Sequence, residues 1–405
     1  MLYHLWHLHH TALGPMRLAA EAGQILLRHH YNPVAYSPPG RAVAAALELF
    51  ESSVRPYDKP AWGLGHTTVG NEVVEVAQRV AVEKLFCRLL HFQRDLQAWQ
   101  PRLLIVAPLS GHFATLLRGT VEALLPHLDI YITDWLDARQ VPLSEGRFDL
   151  DDYIDYVIEF LRFLGPEVHV MAVCQPSVPV LAAAALMAQG GEADQPRSIT
   201  LMGGPIDSRV NPTVPNKLAK SRSIEWFEHS AINRVPAPFP GFMRRVYPGF
   251  LQLSGFMQMN LDRHVGAHLR LYQHLIRGDD DSAAQHRNFY NEYRAVMDLS
   301  ADYYLQTVER VFQRHELPLG QFRHRGRAVE PAAIERAGLF CIEGERDDIS
   351  GVGQTRAALD LCQRIPADRR LYHLQETVGH YGVFNGRRWR ENIAPKVLDF
   401  IRANA

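Results

Sequence analysis

Val168-His-Val-Met-Ala-Val-Cys174-Gln-Pro-Ser-Val-Pro-Val-Leu-Ala182 passes from an apolar, β-branched run into an Ala-rich helical run within a few residues of Cys174. Val168 to Val173 reads as a strand and Val178 to Ala188 as a helix. Pro176 falls in the first helical turn, where the missing N–H leaves no hydrogen bond broken. A strand that turns sharply into a helix lifts the side chain at the turn above a sheet. It needs small residues two before and two after that position, which is why such turns read G-x-S-x-G. Here Ala172 and Pro176 hold the flanks and Cys174 stands at the nucleophile position. Ala is small enough; Pro is a departure. Proline does not follow Cys174 directly, so Gln175 keeps the backbone N–H that an oxyanion hole requires. Alone, a Cys at a strand end reads as core packing more often than as a nucleophile. The rest of the chain reverses that reading.

Outward from this turn, short aliphatic runs alternate with amphipathic stretches. Strands are expected at Leu103 to Ala107, Ile130 to Thr133 and Ser198 to Met202, and helices at Ala114 to Leu125 and Asp152 to Leu164. This rhythm signals a parallel sheet with helices on both faces. It stops near Gly203-Gly-Pro205 and resumes at Leu339 to Glu343 and Leu371 to Leu374, with a last helix from Arg390 to Arg402. The chain therefore divides into a helical N-terminal extension (1–100), a core in two pieces (101–204 and 337–405) and an insertion (205–336). The extension carries a turn at Asn32-Pro33, another at Ser37-Pro-Pro-Gly40, and a helix near Ala42 to Phe50. Within the insertion, Pro236 to Met259 is rich in Pro, Gly, Phe and Met, and repeated Pro and Gly prevent a long helix from Pro236 through Pro248. It reads as a lid, with Phe239, Phe242 and Phe250 as candidate substrate-binding side chains. The alternative is that these aromatics form the insertion's own core.

Two loops follow the later strands. Gly344-Glu-Arg-Asp347-Asp-Ile-Ser350 carries carboxylates, and Glu376-Thr-Val-Gly-His380-Tyr-Gly382 carries a His flanked by glycines. Nucleophile, acid and His in that order is the chain order of α/β-hydrolases, and open parallel sheets bind ligands at their strands' carboxyl ends. The fold class expected is thus an α/β-hydrolase fold: a mostly parallel sheet with flanking helices and an inserted helical lid or cap. Asp347 is favoured over Asp348 because it comes first after the turn, which leaves Asp348 to cap the loop. A second oxyanion-hole N–H is needed from the loop after the first long strand, Leu103-Leu-Ile-Val-Ala-Pro-Leu109-Ser-Gly-His112. Leu109 and Ser110 are the candidates, and His112 is a polar group placed to orient substrate.

Composition narrows the partners. The 405 residues are 47% hydrophobic and 21% charged, a folded rather than disordered balance. Forty-three basic against forty-four acidic residues leave a net charge of −1, without the basic excess that nucleic-acid binding demands. Cys87, Cys174, Cys341 and Cys362 form no C-x-x-C pair, so neither a disulfide scaffold nor a zinc knuckle is expected. His4, His7, His9 and His10 lack an accompanying carboxylate or thiol at ligand spacing and read as a helix face in water. Arg323 to Arg327 likewise reads as a solvated loop, Asp279 to Asp281 lacks the rest of a calcium loop, and there is neither a P-loop nor a dinucleotide fingerprint. Metal and cofactor are expected to be absent. Met1 to His10 has neither a basic n-region nor an apolar core, and the longest apolar run is too short to span a bilayer. A cytoplasmic location without a membrane span is the expectation.

The phrases Leu104-Ile-Val-Ala-Pro-Leu-Ser-Gly-His112, Tyr131-Ile-Thr-Asp-Trp-Leu-Asp-Ala-Arg139, Phe148-Asp-Leu-Asp-Asp-Tyr-Ile154, Val173-Cys-Gln-Pro-Ser177, Gly203-Gly-Pro-Ile-Asp207 and Gly344-Glu-Arg-Asp-Asp-Ile-Ser-Gly351 resemble intracellular polyhydroxybutyrate depolymerases over nearly the whole chain. The resemblance implies hydrolysis of poly(3-hydroxybutyrate) at the surface of storage granules, with Cys174, Asp347 and His380 as the triad and a 3-hydroxyacyl thioester as intermediate. The acyl acceptor is left open between water and a thiol such as coenzyme A. Two other readings stand beside it. One is a synthase-like 3-hydroxyacyl-CoA acyltransferase, although synthase elbows have Gly on both sides of Cys where this chain has Ala172 and Pro176. The other is a non-enzymatic granule-binding protein on a hydrolase fold.

Overall fold

The structure, a computed structural model, describes residues 2–96 and 99–405. Its central sheet has nine strands: β1 (His66–Val69), β2 (Glu72–Glu83), β3 (Cys87–Arg94), β4 (Arg102–Val106), β5 (Asp129–Trp135), β6 (Val168–Val173), β7 (Ser198–Met202), β8 (Gly338–Gly344) and β9 (Arg370–Gln375). Their spatial order is β1-β2-β3-β5-β4-β6-β7-β8-β9. β1 to β3 are antiparallel, β3 runs antiparallel to β5, and every pairing from β5 to β9 is parallel. A chain that leaves β4 for β5 on one side and leaves β6 for β7 on the other opens a crevice at the carboxyl ends of β4 and β6. The elbow at Cys174 and the loop after Val106 stand at that crevice. This is the α/β-hydrolase fold.

Local chemistry accounts for the parallel half. Every residue of β6 is buried, as a mostly apolar strand covered on both faces must be. Its one polar member, His169, shares a 2.8 Å hydrogen bond with Ser198 on β7, and burial lowers its pKa to about 4. The helix after it, Ser177–Gln189, is buried nearly all round, which suits its run of Ala and Val. Leu150–Leu164 begins with a capping box in which Asp149 accepts from the Asp151 and Asp152 N–H groups and the Asp152 side chain accepts from Asp149 N–H.

The N-terminal extension departs from the all-helical expectation. It opens with two helices that pack on each other, Leu2–Arg28 and Pro38–Val54, but residues 66–94 form β1 to β3 and extend the sheet. The alternation in Glu72-Val-Val-Glu-Val-Ala-Gln-Arg-Val-Ala-Val-Glu83 is a two-residue period on a strand mostly open to water. Cys87 accordingly opens a strand rather than lying in a helix. The extension is also tied to the region between β7 and β8. The Tyr3 hydroxyl donates to Asp298 at 2.5 Å, Arg287 donates to Glu48 at 2.7 Å, and Trp6 stacks on Phe250 at 4.6 Å.

Between Met202 and Gly338 the chain forms helices Val214–Ser221, Ile224–Ala231, Gly249–Met259, Leu261–Arg277, Asp280–Arg294 and Ala301–Thr307, with a small sheet of Asn233–Arg234, Arg245–Tyr247 and Leu299–Ser300. Two charge runs lie here, and the first, Arg323 to Arg327, is largely exposed as expected. Arg325 donates to Asp155 and Asp152 on helix Leu150–Leu164, and Asp279 caps the Asp280–Arg294 helix by accepting from Ser282 N–H at 3.2 Å. Among the described residues no helix is long and apolar enough to cross a membrane, and no group of three or more His, Cys, Asp or Glu is placed to hold a metal ion.

Candidate active site

Cys174 has φ +69°, a left-handed conformation that a non-glycine residue rarely adopts. Two hydrogen bonds hold it: Cys174 N–H donates to Met202 C=O at 2.7 Å, and Cys174 C=O accepts from Ser177 N–H at 3.1 Å. The strain is the geometric mark of a side chain lifted out of the strand-to-helix turn. Of the four thiols only this one is partly exposed. Burial pushes Cys87 and Cys341 well above the ordinary thiol range and Cys362 up to about 12, so those three stay neutral.

Asp347 and His380 meet at the ends of β8 and β9. His380 Nδ1 lies 2.7 Å from Asp347 Oδ2, with side-chain exposures of 5% and 0%. The other carboxylate oxygen accepts from Ile349 N–H at 2.9 Å and Ser350 N–H at 2.8 Å, so the loop's own backbone fixes the orienting acid. Loop capping, assigned from sequence to Asp348, therefore belongs to Asp347. Asp348 instead accepts from Asn260 Nδ2 at 2.8 Å, at the start of the Leu261–Arg277 helix. Burial on its own would lower the His380 pKa. The charge of Asp347 and Cys174 and the Asp347 hydrogen bond to the ring outweigh it and raise the pKa well above 6.5. Asp347 and His380 thus form a buried hydrogen-bonded pair, and the charge of Cys174 bears on the same imidazole.

The remaining candidates divide. Gln175, Leu109 and Ser110 N–H donate no hydrogen bond among the described residues, whereas Cys174 and Ser177 N–H on either side of Gln175 are both used. His112 is 2% exposed and its Nε2 pairs with Tyr293 C=O at 3.0 Å. Burial lowers its pKa to about 4, so it is neutral, and it bridges the β4 loop to the insertion together with the Gly111 C=O that accepts from Met297 N–H at 2.7 Å. Phe250 stacks on Trp6, and Phe239 lies edge-on to His7 and under Arg139, so both pack against the extension. Phe242 is 50% exposed.

A family model described as the PHB de-polymerase C-terminus matches residues 203–405. That is half of the chain and the half that holds Asp347 and His380. The chain belongs to the PHB depolymerase family. Membership makes it a hydrolase, with ester hydrolysis as its general activity and the polymer as the family's substrate. Cys174 lies N-terminal to the matched segment. No curated protein matches the chain. Solved structures to which it is similar include a putative lipase from Acinetobacter baumannii AYE (14% identity, 82% of this chain and 93% of that one, TM-score 0.40). Others are a thermophilic esterase from Thermogutta terrifontis (12%, 84% and 97%, 0.41) and 2-hydroxy-6-oxo-6-phenylhexa-2,4-dienoate hydrolase from Rhodococcus sp. strain RHA1 (10%, 81% and 99%, 0.41).

In this depolymerase-family chain two glycines matter to the site that the sequence marked only as the end of a strand and as part of a family phrase. Gly203 has φ +58°, and a Cβ there would lie 3.3 Å from both Asp347 Oδ2 and His380 Cε1. A Cβ on Gly204 would sit 2.0 Å from Ser177 Oγ and 2.9 Å from Cys174 O. Their adjacency directly after β7 was the available signal. Gly204→Ala is expected to destabilise the fold by about 1–3 kcal/mol through overpacking against the elbow, read from urea unfolding. Three tyrosines were not singled out at all: Tyr153, Tyr303 and Tyr381, each of whose phenols feels the charge of Cys174.

Proposed function

We propose that the protein hydrolyses ester bonds of poly(3-hydroxybutyrate) through a Cys174-His380-Asp347 triad. What supports this most is a strained, partly exposed thiol whose charge bears on an imidazole held at Nδ1 by a buried carboxylate. Asp347 fixes the His380 tautomer with Nε2 toward sulfur, and His380 takes the Cys174 proton. The thiolate attacks the ester carbonyl, and the N–H groups of Gln175 and of Leu109 or Ser110 hold the oxyanion. A thiolate leaves more readily than the polymer's alkoxide, so the intermediate collapses backward unless His380 hands its proton to that alkoxide. The same residue then deprotonates water, which releases the acyl group from the thioester.

On this reading the insertion is the lid, and the polymer lies against its apolar surface at a cytoplasmic granule. A neutral polyester offers no charge for recognition, in keeping with the net charge of −1. Phe239 and Phe250 brace the lid against the first helix, Leu2–Arg28, and Phe242 is the one of the three free to meet the granule. Phe242→Ala is expected to weaken granule binding on the order of fivefold, the equivalent of about 1 kcal/mol of apolar burial, measured by co-sedimentation. The function is tested by product analysis on native, amorphous granules. Release of 3-hydroxybutyrate or its oligomers is expected. Chain growth from 3-hydroxybutyryl-CoA without added polymer would replace this reading with the acyltransferase, and granule binding without any turnover would replace it with the binding protein.

A further inference from the structure

Tyr303 belongs to the inserted helix Ala301–Thr307 and is 1% exposed. Its ring stacks on Tyr153 (5.4 Å, 11°), which stacks in turn on Trp135 (4.2 Å, 27°). Trp135 Nε1 and the Tyr153 hydroxyl both donate to Ala107 C=O, at 2.9 and 3.4 Å. Ala107 is two residues before Leu109. One helical turn after Tyr303, Thr307 Oγ1 accepts from Gln175 Nε2 at 3.5 Å. The stack and this bond therefore tie the helix that carries Tyr303 to the loop after β4 and to the residue after the nucleophile, the two segments whose Leu109, Ser110 and Gln175 N–H groups are unpaired among the described residues.

The phenol itself lies near Gln175 and Thr307 but makes no hydrogen bond of acceptable geometry with any described residue, and neither does Gln175 Oε1. A buried donor left without a partner costs about 1–3 kcal/mol and calls for a reason. Burial pushes its pKa far above the ordinary 10, and the charge of Cys174 adds to this, so it carries its proton across the working pH range. We infer that the Tyr303 hydroxyl donates a hydrogen bond to the oxyanion formed when Cys174 attacks the ester carbonyl, a side-chain donor that the insertion adds to the backbone N–H groups. A donor aimed at charge that develops only in the transition state raises kcat rather than affinity. It also makes the insertion part of the reaction rather than only a cover. The inference rests on the proposed thiol esterase chemistry.

Tyr303→Phe removes one oxygen and keeps the ring and its stack. With p-nitrophenyl butyrate as substrate, kcat is expected to fall on the order of 10²-fold with KM within about twofold of wild type. Alkylation of Cys174 by iodoacetamide passes through no oxyanion and is expected to keep its wild-type rate. Unchanged kcat in a folded variant overturns the inference, and so does an alkylation rate that falls as far as kcat, since Tyr303 would then act through the thiol. A wild-type protein that alkylates at Cys174 but hydrolyses neither this ester nor granules overturns the proposed function and the inference with it. An active wild type with an equally active variant overturns the inference alone.

Discussion

Cys174→Ala is expected to lose on the order of 10⁵–10⁶ in kcat on native granules while keeping its fold. The size follows from how a triad fails: removing the nucleophile leaves the base and the orienting acid with nothing to activate, and only the oxyanion hole and binding remain. The fold survives because its anchors are backbone: the N–H to Met202 C=O and the C=O to Ser177 N–H are independent of the sulfur. Ala also carries a Cβ at φ +69°, as Cys does, so the turn's strain is unchanged. Three measurements belong together: soluble product from granules, the thermal midpoint, and intact mass after brief exposure to polymer. An acyl adduct on wild type that is missing from the variant identifies the thiol as the attacking atom. A variant that keeps a tenth of wild-type turnover would rule the thiol out, since the other three cysteines are buried and neutral.

What the sequence disclosed follows from how local each signal is. β6 and β7 have the residue bounds read from the string alone, because a strand buried on both faces is written as a mostly apolar, β-branched run. The elbow was legible for the same reason: strand, turn and helix are adjacent in sequence. β1 to β3 were not, since a mostly exposed antiparallel strand such as Glu72–Glu83 carries no apolar run, and its two-residue alternation hides among charged neighbours. His112 shows a second kind of limit. Its place beside the elbow followed from the β4 loop, but its pairing with Tyr293 C=O depends on a residue 181 positions away. Tyr303 illustrates the same limit more sharply. Nothing in Ala-Asp-Tyr-Tyr-Leu-Gln-Thr marks one tyrosine over its neighbour, and only packing against Tyr153 and Gln175 separates Tyr303 from Tyr304, which pairs with Tyr247.

Asp347→Asn is expected to lower kcat by about 10⁴-fold and to move the alkaline limb of the kcat/KM profile downward in pH. The sign comes from the balance on His380. Burial lowers its pKa, and the Asp347 and Cys174 contributions raise it above 6.5. The leaving alkoxide needs a proton from the imidazolium, so activity falls as pH rises through the His380 pKa, and that limb lies well above 6.5 in the wild type. Asparagine is the same size and can still meet Nδ1, but it carries no charge and presents either the wrong atom or the wrong tautomer. With the largest raising influence gone, burial is opposed by Cys174 alone, and the limb is expected to drop in pH. Stability moves with it. A folded pKa above the unfolded value near 6.5 contributes stability that is complete below that value and is lost as pH rises through the folded pKa. The wild type is therefore expected to lose part of its stability on the alkaline side, whereas the variant, lacking the pair, has a smaller loss to show there. Urea midpoints measured on both proteins from pH 6 upward test this, and parallel curves would mean that the Asp347 charge does not set the His380 proton.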